Sequence, residues 1–291
     1  MRPPPPLNAD VCNIWKNQPV MPPAFDAVAA AYDTSFTHTP LGHCLRERVY
    51  ELVRTIGPGV SPAGRMLEIN CGTGADAIWW AKKGWNVLAT DVSTKMIDVA
   101  KSKLTAIALE TPPEFKVGSF AELSELPETG FDLIFSNFGG LNCISAQEIE
   151  ALSSILHQKL IPGGYLVVVV MGRFCLWETL YFLCKGKLRS AFRRWNRRSQ
   201  LAALDGNTVV PTWYYSPGLL ERRMQTAATW QKNALKPVGW WLPPSYLHPF
   251  FAKKPRLLRC LAFLERHCSP DFFASSADHY LLCLRRRPAS R

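Results

Sequence analysis

The sequence predicts an α/β fold, a mostly parallel sheet with helices on both faces. Three observations predict it. The stretch from Met66 to Lys101 reads as strand, glycine-bearing turn, helix, second strand and terminal acid. Further apolar runs, Glu114 to Val117, Phe131 to Phe135 and Tyr165 to Met171, alternate with segments of helical period, as βα repeats do. The runs at Phe131 and Tyr165 are apolar without alternation, which suits parallel strands covered on both faces. At 291 residues the chain fits one such domain with insertions.

Within the first stretch, Met66, Leu67 and Ile69 give the strand and Asn70-Cys71-Gly72-Thr73-Gly74 the turn. Ala75, Ile78, Trp79 and Ala81 or Lys82 then fall on neighbouring faces of a helix, which Gly84 ends. Trp85 to Thr90 is the second strand, closed by Asp91. The glycines let the backbone approach a ligand without a Cβ clash. A carboxylate at the strand tip is placed to accept both hydroxyls of a ribose. A dinucleotide fingerprint needs G-x-G-x-x-G and a helix N-terminus free for pyrophosphate. Here Glu68 precedes the turn and Asp76 opens the helix. Two carboxylates repel a pyrophosphate and suit a ligand that carries an ammonium group.

LEINCGTG followed by a strand ending in Asp91 resembles motifs I and II of the class I S-adenosylmethionine-dependent methyltransferases, of the small-molecule type. The family mostly has glycine where this chain has Asn70, and Asn is the residue after glycine that best tolerates positive φ. LIPGGYLVVVV matches the family's turn into its fifth strand, and WYYSPGLLERRM resembles its turn into the helix before strand six. The resemblance implies a Rossmann-like seven-stranded sheet of order 3-2-1-4-5-7-6 with strand seven antiparallel. It also implies S-adenosyl-L-methionine as cofactor and S-adenosyl-L-homocysteine as product.

Carried over residue by residue, the implied cofactor contacts begin with Glu68, Asn70, Cys71, Gly72, Thr73 and Gly74. Asp91, Val92 and Met96 follow the second strand, with Met96 against the adenine face. Gly118, Ser119 and Phe120 follow the third, Ser119 standing where the family usually has an acid for the adenine amino group. Ser136, Asn137 and Phe138 follow the fourth. Ala24 to Ala31 turns helical and leads into Tyr32-Asp33. In the resembling enzymes N-terminal helices cover the cofactor and such a Tyr approaches the methionine carboxylate. Tyr32 is therefore a cofactor contact and a candidate in the transfer itself.

Residues 1–22, rich in proline, read as a flexible arm, and 23–291 as one domain. Residues 23–62 supply covering helices, including Cys44 to Thr55, with Pro58 to Gly64 a loop. Past Met171 the chain leaves the family pattern, and 173–215 and 243–278 read as substrate-side insertions. The first joins an apolar run from Phe174 to Leu183 to a basic one from Lys185 to Arg198. It suits a helical, aromatic lid whose basic end reaches an anionic head group or a membrane. A helix pair with merely solvated charges is the plainer alternative. Thr208 to Tyr215 reads as extended, Ser216-Pro217 as the start of a helix, and Pro237 to Leu242 as strand six. Lys253 to His267 reads as a helix and His279 to Arg285 as strand seven.

The net charge of +11 points to an anionic substrate, a membrane surface or nucleic acid. No apolar run reaches the roughly 18 residues of a membrane-spanning helix. The first residues lack the apolar core of a signal peptide, so a cytoplasmic, or membrane-peripheral, location is expected. Nine cysteines without a C-x-x-C pair suggest reduced thiols, and no Cys/His spacing suggests a metal. After the fourth strand the Asn/Asp-Pro-Pro-aromatic turn of nucleobase amine methyltransferases is missing, which counts against that target. A hydroxyl acceptor needs a base, and His248, amid Tyr246, Pro249, Phe250 and Phe251, is the candidate. The expected function is S-adenosylmethionine-dependent methylation of a hydrophobic small molecule, anionic or lipid-like. RNA methylation through the basic surface and non-catalytic cofactor binding are the alternatives.

Overall fold

The structure, a computed structural model, describes residues 24–56, 64–204 and 208–288. The arm at 1–22 and most of the loop expected at Pro58 to Gly64 lie outside them. A one-turn helix α1 (Ala29–Tyr32) is followed by α2 (Pro40–Ile56). Then come β1 (Arg65–Ile69), α3 (Ala75–Ala81), β2 (Asn86–Asp91), α4 (Thr94–Leu104), β3 (Glu114–Val117) and β4 (Phe131–Ser136). Helix α5 (Ala146–Lys159) runs into β5 (Leu160–Met171). The seven-stranded sheet also takes in β8 (Trp230–Val238) and β9 (His279–Arg286), in the order β3-β2-β1-β4-β5-β9-β8. Strands β1 to β5 pair in parallel, while β9 is antiparallel to both β5 and β8. With β8 and β9 as strands six and seven, this is the expected order.

The uninterrupted apolar run of β5 follows from its two covered faces. Val167 and Val169 enter a core with Leu41, Leu45, Trp80 and Phe135. Leu166, Val168 and Val170 enter a second core with Ile134, Leu152 and Leu282 on the opposite face. The Pro162-Gly163-Gly164 turn lies inside the strand as a register shift against β4.

Strand six was expected at Pro237 to Leu242 and instead occupies Trp230–Val238. This is an edge strand in which Gln231, Lys232 and Asn233 are exposed, so its pattern is polar. The apolar Gly239–Leu242 segment is a turn. Gly239 has φ 76°. The N–H groups of Gly239, Trp241 and Leu242 donate to the Glu265 carboxylate at 2.8, 2.8 and 3.4 Å. Backbone donors engaged with a side chain cannot extend a ladder.

The first insertion forms α6 (Leu176–Cys184), α7 (Leu188–Ala191) and a two-stranded ribbon of β6 (Gln200–Ala203) with β7 (Val209–Thr212). Helix α8 (Pro217–Ala227) leads to β8. The second insertion contains α9 (His248–Ala252) and α10 (Pro255–His267). Trp177 Nε1 donates to the Trp240 carbonyl at 2.9 Å, tying the first insertion to the turn that precedes the second. Among the described residues, no helix is long and apolar enough to cross a membrane.

Candidate active site

The carboxyl ends of β1, β2, β3 and β4 converge on the turn after β1. Asn70 takes φ 53° there, and its side chain bridges two strand ends. It donates to the Asn137 carbonyl at 3.0 Å and accepts from Ser136 Oγ at 2.6 Å. Gly72 has φ 54°, and its N–H donates to Asp91 Oδ2 at 2.8 Å. The N–H of Ser93 donates to Asp91 Oδ1 at 2.9 Å. Each oxygen of Asp91 keeps a further lone pair, as two vicinal hydroxyls would require. Burial raises its pKa. The space beside the α-carbons of Gly72 and Gly118 is open. Gly74 instead allows close packing, since a Cβ there would lie 2.6 Å from the Phe115 ring and 2.8 Å from Ala100 Cβ.

Glu68 is buried, and its Oε2 has no hydrogen-bond partner. Burial, with Asp76 next, raises its pKa well above the usual carboxylate range. An unpaired buried carboxylate oxygen calls for a cationic donor, and the ammonium of a methionyl group supplies one. The site thus fits S-adenosylmethionine at both ends, with Asp91 for the ribose and Glu68 for the amino acid.

The other expected contacts fall around this pair. Cys71 is buried, and its thiol is pushed up by burial and by Glu68. The Thr73 hydroxyl donates to Asp33 at 2.7 Å and its carbonyl accepts from Lys103 at 2.7 Å, so both bind protein. Val92 remains 48% exposed beside Asp91, whereas Met96 is buried, its N–H held by Ser93 Oγ at 3.1 Å. Ser119 and Glu122 close a turn, Ser119 N–H donating to the carboxylate at 2.6 Å. Phe120 packs on the second core. Phe138 takes φ 42°, its N–H held by Asn137 Oδ1 at 3.0 Å.

The N-terminal segment closes over the turn through two carboxylates. Asp26 accepts from Ser93 Oγ, and Asp33 accepts from Thr73 and pairs with Lys103. Tyr32 stacks edge-on to Phe36 at 6.0 Å, and burial raises its phenol pKa, with Arg46, Asp76 and Asp91 in electrostatic range.

Sequence reading missed a second buried cluster. Asp76 accepts from Arg46 at 2.5 Å, from Tyr50 at 2.5 Å and from Asn137 at 3.1 Å. Arg46 Nε has no partner, and its guanidinium lies over Phe36 and Phe138, 5.5 and 5.4 Å from the ring centres. Arg46 and Tyr50 sit four residues apart on the apolar face of α2, between Leu45, Val49 and Val53. Polar side chains at core positions were the available signal.

A third missed group joins the first insertion to β9. Arg194 donates to Glu178 at 2.8 Å and to Asp278 at 2.7 Å, and Arg193 pairs with Glu178 at 2.7 Å. Arg194 is therefore buried within the protein, and Arg193, its side chain 38% exposed, is paired at the edge of the same group. His279 Nδ1 lies 3.1 Å from Asp278 Oδ2, and its ring meets Phe138 edge-on at 5.4 Å. Net stabilisation by His279 and Arg194 outweighs burial and keeps the Asp278 carboxyl well below its usual range. His248, the expected base, opens α9, which packs on α2, and its buried Nδ1 is unbonded. Among the described residues, no group of three or more His, Cys, Asp or Glu side chains is placed to hold a metal ion.

Comparison with known proteins agrees with the fold. Residues 66–164 match the family model described as a methyltransferase domain. A malonyl-[acyl-carrier protein] O-methyltransferase of Serratia marcescens is 26% identical over 163 residues, 56% of this chain and 56% of that one. A demethylmenaquinone methyltransferase of Clavibacter sepedonicus is 27% identical over 147 residues, 50% of this chain and 55% of that one. The chain thus spans little more than half the length of these two relatives. Among solved structures, DhpI in complex with SAH superposes with a TM-score of 0.56 at 17% identity, covering 91% of this chain and 94% of that one. An S-adenosylmethionine-dependent methyltransferase from Methanosarcina mazei gives 0.53 at 18%, covering 82% and 98%. Likeness at that identity speaks for the fold. Residues 66–164 are thus similar to a methyltransferase domain, and the chain shares the fold of these solved S-adenosylmethionine-dependent methyltransferases.

Proposed function

We propose that the protein transfers a methyl group from S-adenosylmethionine to a hydrophobic small molecule. The observation that carries this reading is the pair of carboxylates at adjacent strand ends. Glu68 keeps an unpartnered oxygen, and Asp91 is held by two N–H groups with lone pairs to spare. When bound, the cofactor would supply an electrophilic methyl group on a sulfonium; an acceptor atom bonds to that carbon in line as the carbon–sulfur bond breaks and the neutral thioether leaves. What the chain must do is hold the acceptor aligned and keep water out. Phe36 and Phe138, edge-on at 5.3 Å, give an apolar wall beside Asn137. The two relatives are named for malonyl-[acyl-carrier protein] and demethylmenaquinone, which supports an apolar or acyl-linked acceptor.

For a hydroxyl acceptor His279 is the better-placed base. Its Nδ1 is buried without a hydrogen-bond partner, 3.1 Å from Asp278 Oδ2, and its ring borders Phe138 at the site wall. The Asp278 carboxylate places a negative charge beside the ring. His248 stands as the second candidate.

Calorimetric titration with S-adenosylhomocysteine tests the reading. Wild type binds, and Asp91→Ala weakens binding by about 2–4 kcal/mol, roughly 30- to 1000-fold. Absence of binding to wild type, or equal affinity in the variant, would overturn it.

A further inference from the structure

The positive charge of this chain is not spread over it. Residues 173–204 and 243–268 hold thirteen lysines and arginines and two carboxylates, Glu178 and Glu265. That excess equals the net charge of the whole chain, +11, so the remainder is balanced. Both carboxylates are buried and bonded within the protein, Glu178 to Arg193 and Arg194, Glu265 to three backbone N–H groups. Every exposed side chain of these segments that is charged at neutral pH is therefore cationic.

The same segments expose large apolar side chains. Leu180, Leu183, Leu188, Phe192, Trp195 and Phe250 are 51, 38, 63, 41, 54 and 52% exposed. Leu180, Leu183 and Cys184 share one face of α6 by their spacing. Ring contacts join the two insertions, Tyr181 to Tyr246 at 5.8 Å and Trp177 to Phe251 at 6.2 Å. Lys185 and Lys254 fold over Tyr181 and Phe250, each 4.5 Å from the ring centre.

We propose that the face built by the two insertions docks on an anionic lipid surface. Protruding leucines with Trp and Phe among lysines and arginines match the apolar–charged boundary of a bilayer: apolar tips enter the acyl edge and cations stay at the head groups. Nucleic acid fits less well, because leucine has no face on which a base stacks. Arg194 ties this face to Asp278 beside His279, so docking sets the site at the lipid boundary, where an apolar acceptor resides. The docking itself goes beyond the methyl-transfer reading and needs neither cofactor nor acceptor.

Co-sedimentation of the full chain with phosphatidylcholine vesicles, with and without about one-third phosphatidylglycerol, tests it. The protein pellets with the anionic vesicles, less with the neutral ones, and is released as salt approaches about 0.5 M. Leu188→Asp with Trp195→Asp, and separately Lys185→Glu with Lys187→Glu and Arg189→Glu, each lower partitioning at least about tenfold. Unchanged S-adenosylhomocysteine affinity in these variants shows that the cofactor site is intact and keeps this test apart from the functional one. Wild type left in the supernatant with anionic vesicles overturns the proposal. So does full binding by the apolar-to-acid variant, or displacement from vesicles by single-stranded RNA.

Discussion

Asn70 and Gly140 fill one space: a Cβ built on Gly140 would lie 2.1 Å from Asn70 Cγ. The amide that stands where the family mostly has glycine is accommodated by a glycine seventy residues later. Gly140→Ala should cost about 1–3 kcal/mol, the usual range for overpacking. Adding Asn70→Gly should recover much of that loss, although Asn70→Gly alone removes two hydrogen bonds. A thermal or chemical denaturation cycle over the four proteins measures the coupling. Strict additivity would show that the two residues do not compete.

Glu68 has a raised pKa in the fold, so the native state binds a proton more tightly than the unfolded chain. Its stability contribution is complete below the unfolded value near 4.5 and is lost as pH rises through the raised folded value. Glu68→Gln should therefore raise the Tm of the empty protein at neutral pH and flatten its decline with pH. Cofactor affinity should fall in the same variant, since the negative charge facing the ammonium is gone and one acceptor oxygen is replaced by an NH2 donor. Differential scanning calorimetry across pH, with and without S-adenosylhomocysteine, reads both effects. A lower Tm for the empty variant at neutral pH would contradict the assignment.

The cover segment is held by Asp33. Burial acts to raise its pKa, but bonds from Lys103 and Thr73 outweigh it and leave the value lowered from 3.8. The tether is present above the unfolded value and is lost as pH falls through the folded one. Asp33→Asn should loosen residues 24–39 at neutral pH, raising their amide exchange about 10- to 100-fold, while the sheet stays protected. Equal exchange in wild type and variant would mean that the cover is held elsewhere.

On any acceptor that supports turnover, His279→Ala should lower kcat by about 10²–10⁴-fold, with cofactor affinity retained. His248→Ala should cost less than about tenfold. A larger effect at His248 would reverse the assignment.

Five parallel strands, the turn after β1 and Asp91 were legible because each is local: an apolar run, a glycine spacing, a strand tip. The residues that surround them were not. Arg46 reaches Asp76 across 30 positions and Arg194 reaches Asp278 across 84, and separation in sequence carries no mark of such pairing. Arg193 and Arg194 looked like the rest of a solvated basic run until Glu178 and Asp278 were placed beside them. Strand six was misread for a related reason. Its exposed edge is polar, and the apolar residues after it serve a carboxylate from α10.

That carboxylate has a further consequence. Glu265 fastens α10 to the end of β8 through three backbone donors, so its hold depends on chain path and not on neighbouring side chains. The segment between Pro243 and Arg256 is consequently anchored beyond its end by a contact that does not depend on its own side chains, while Phe251, buried against Trp177, fixes its middle.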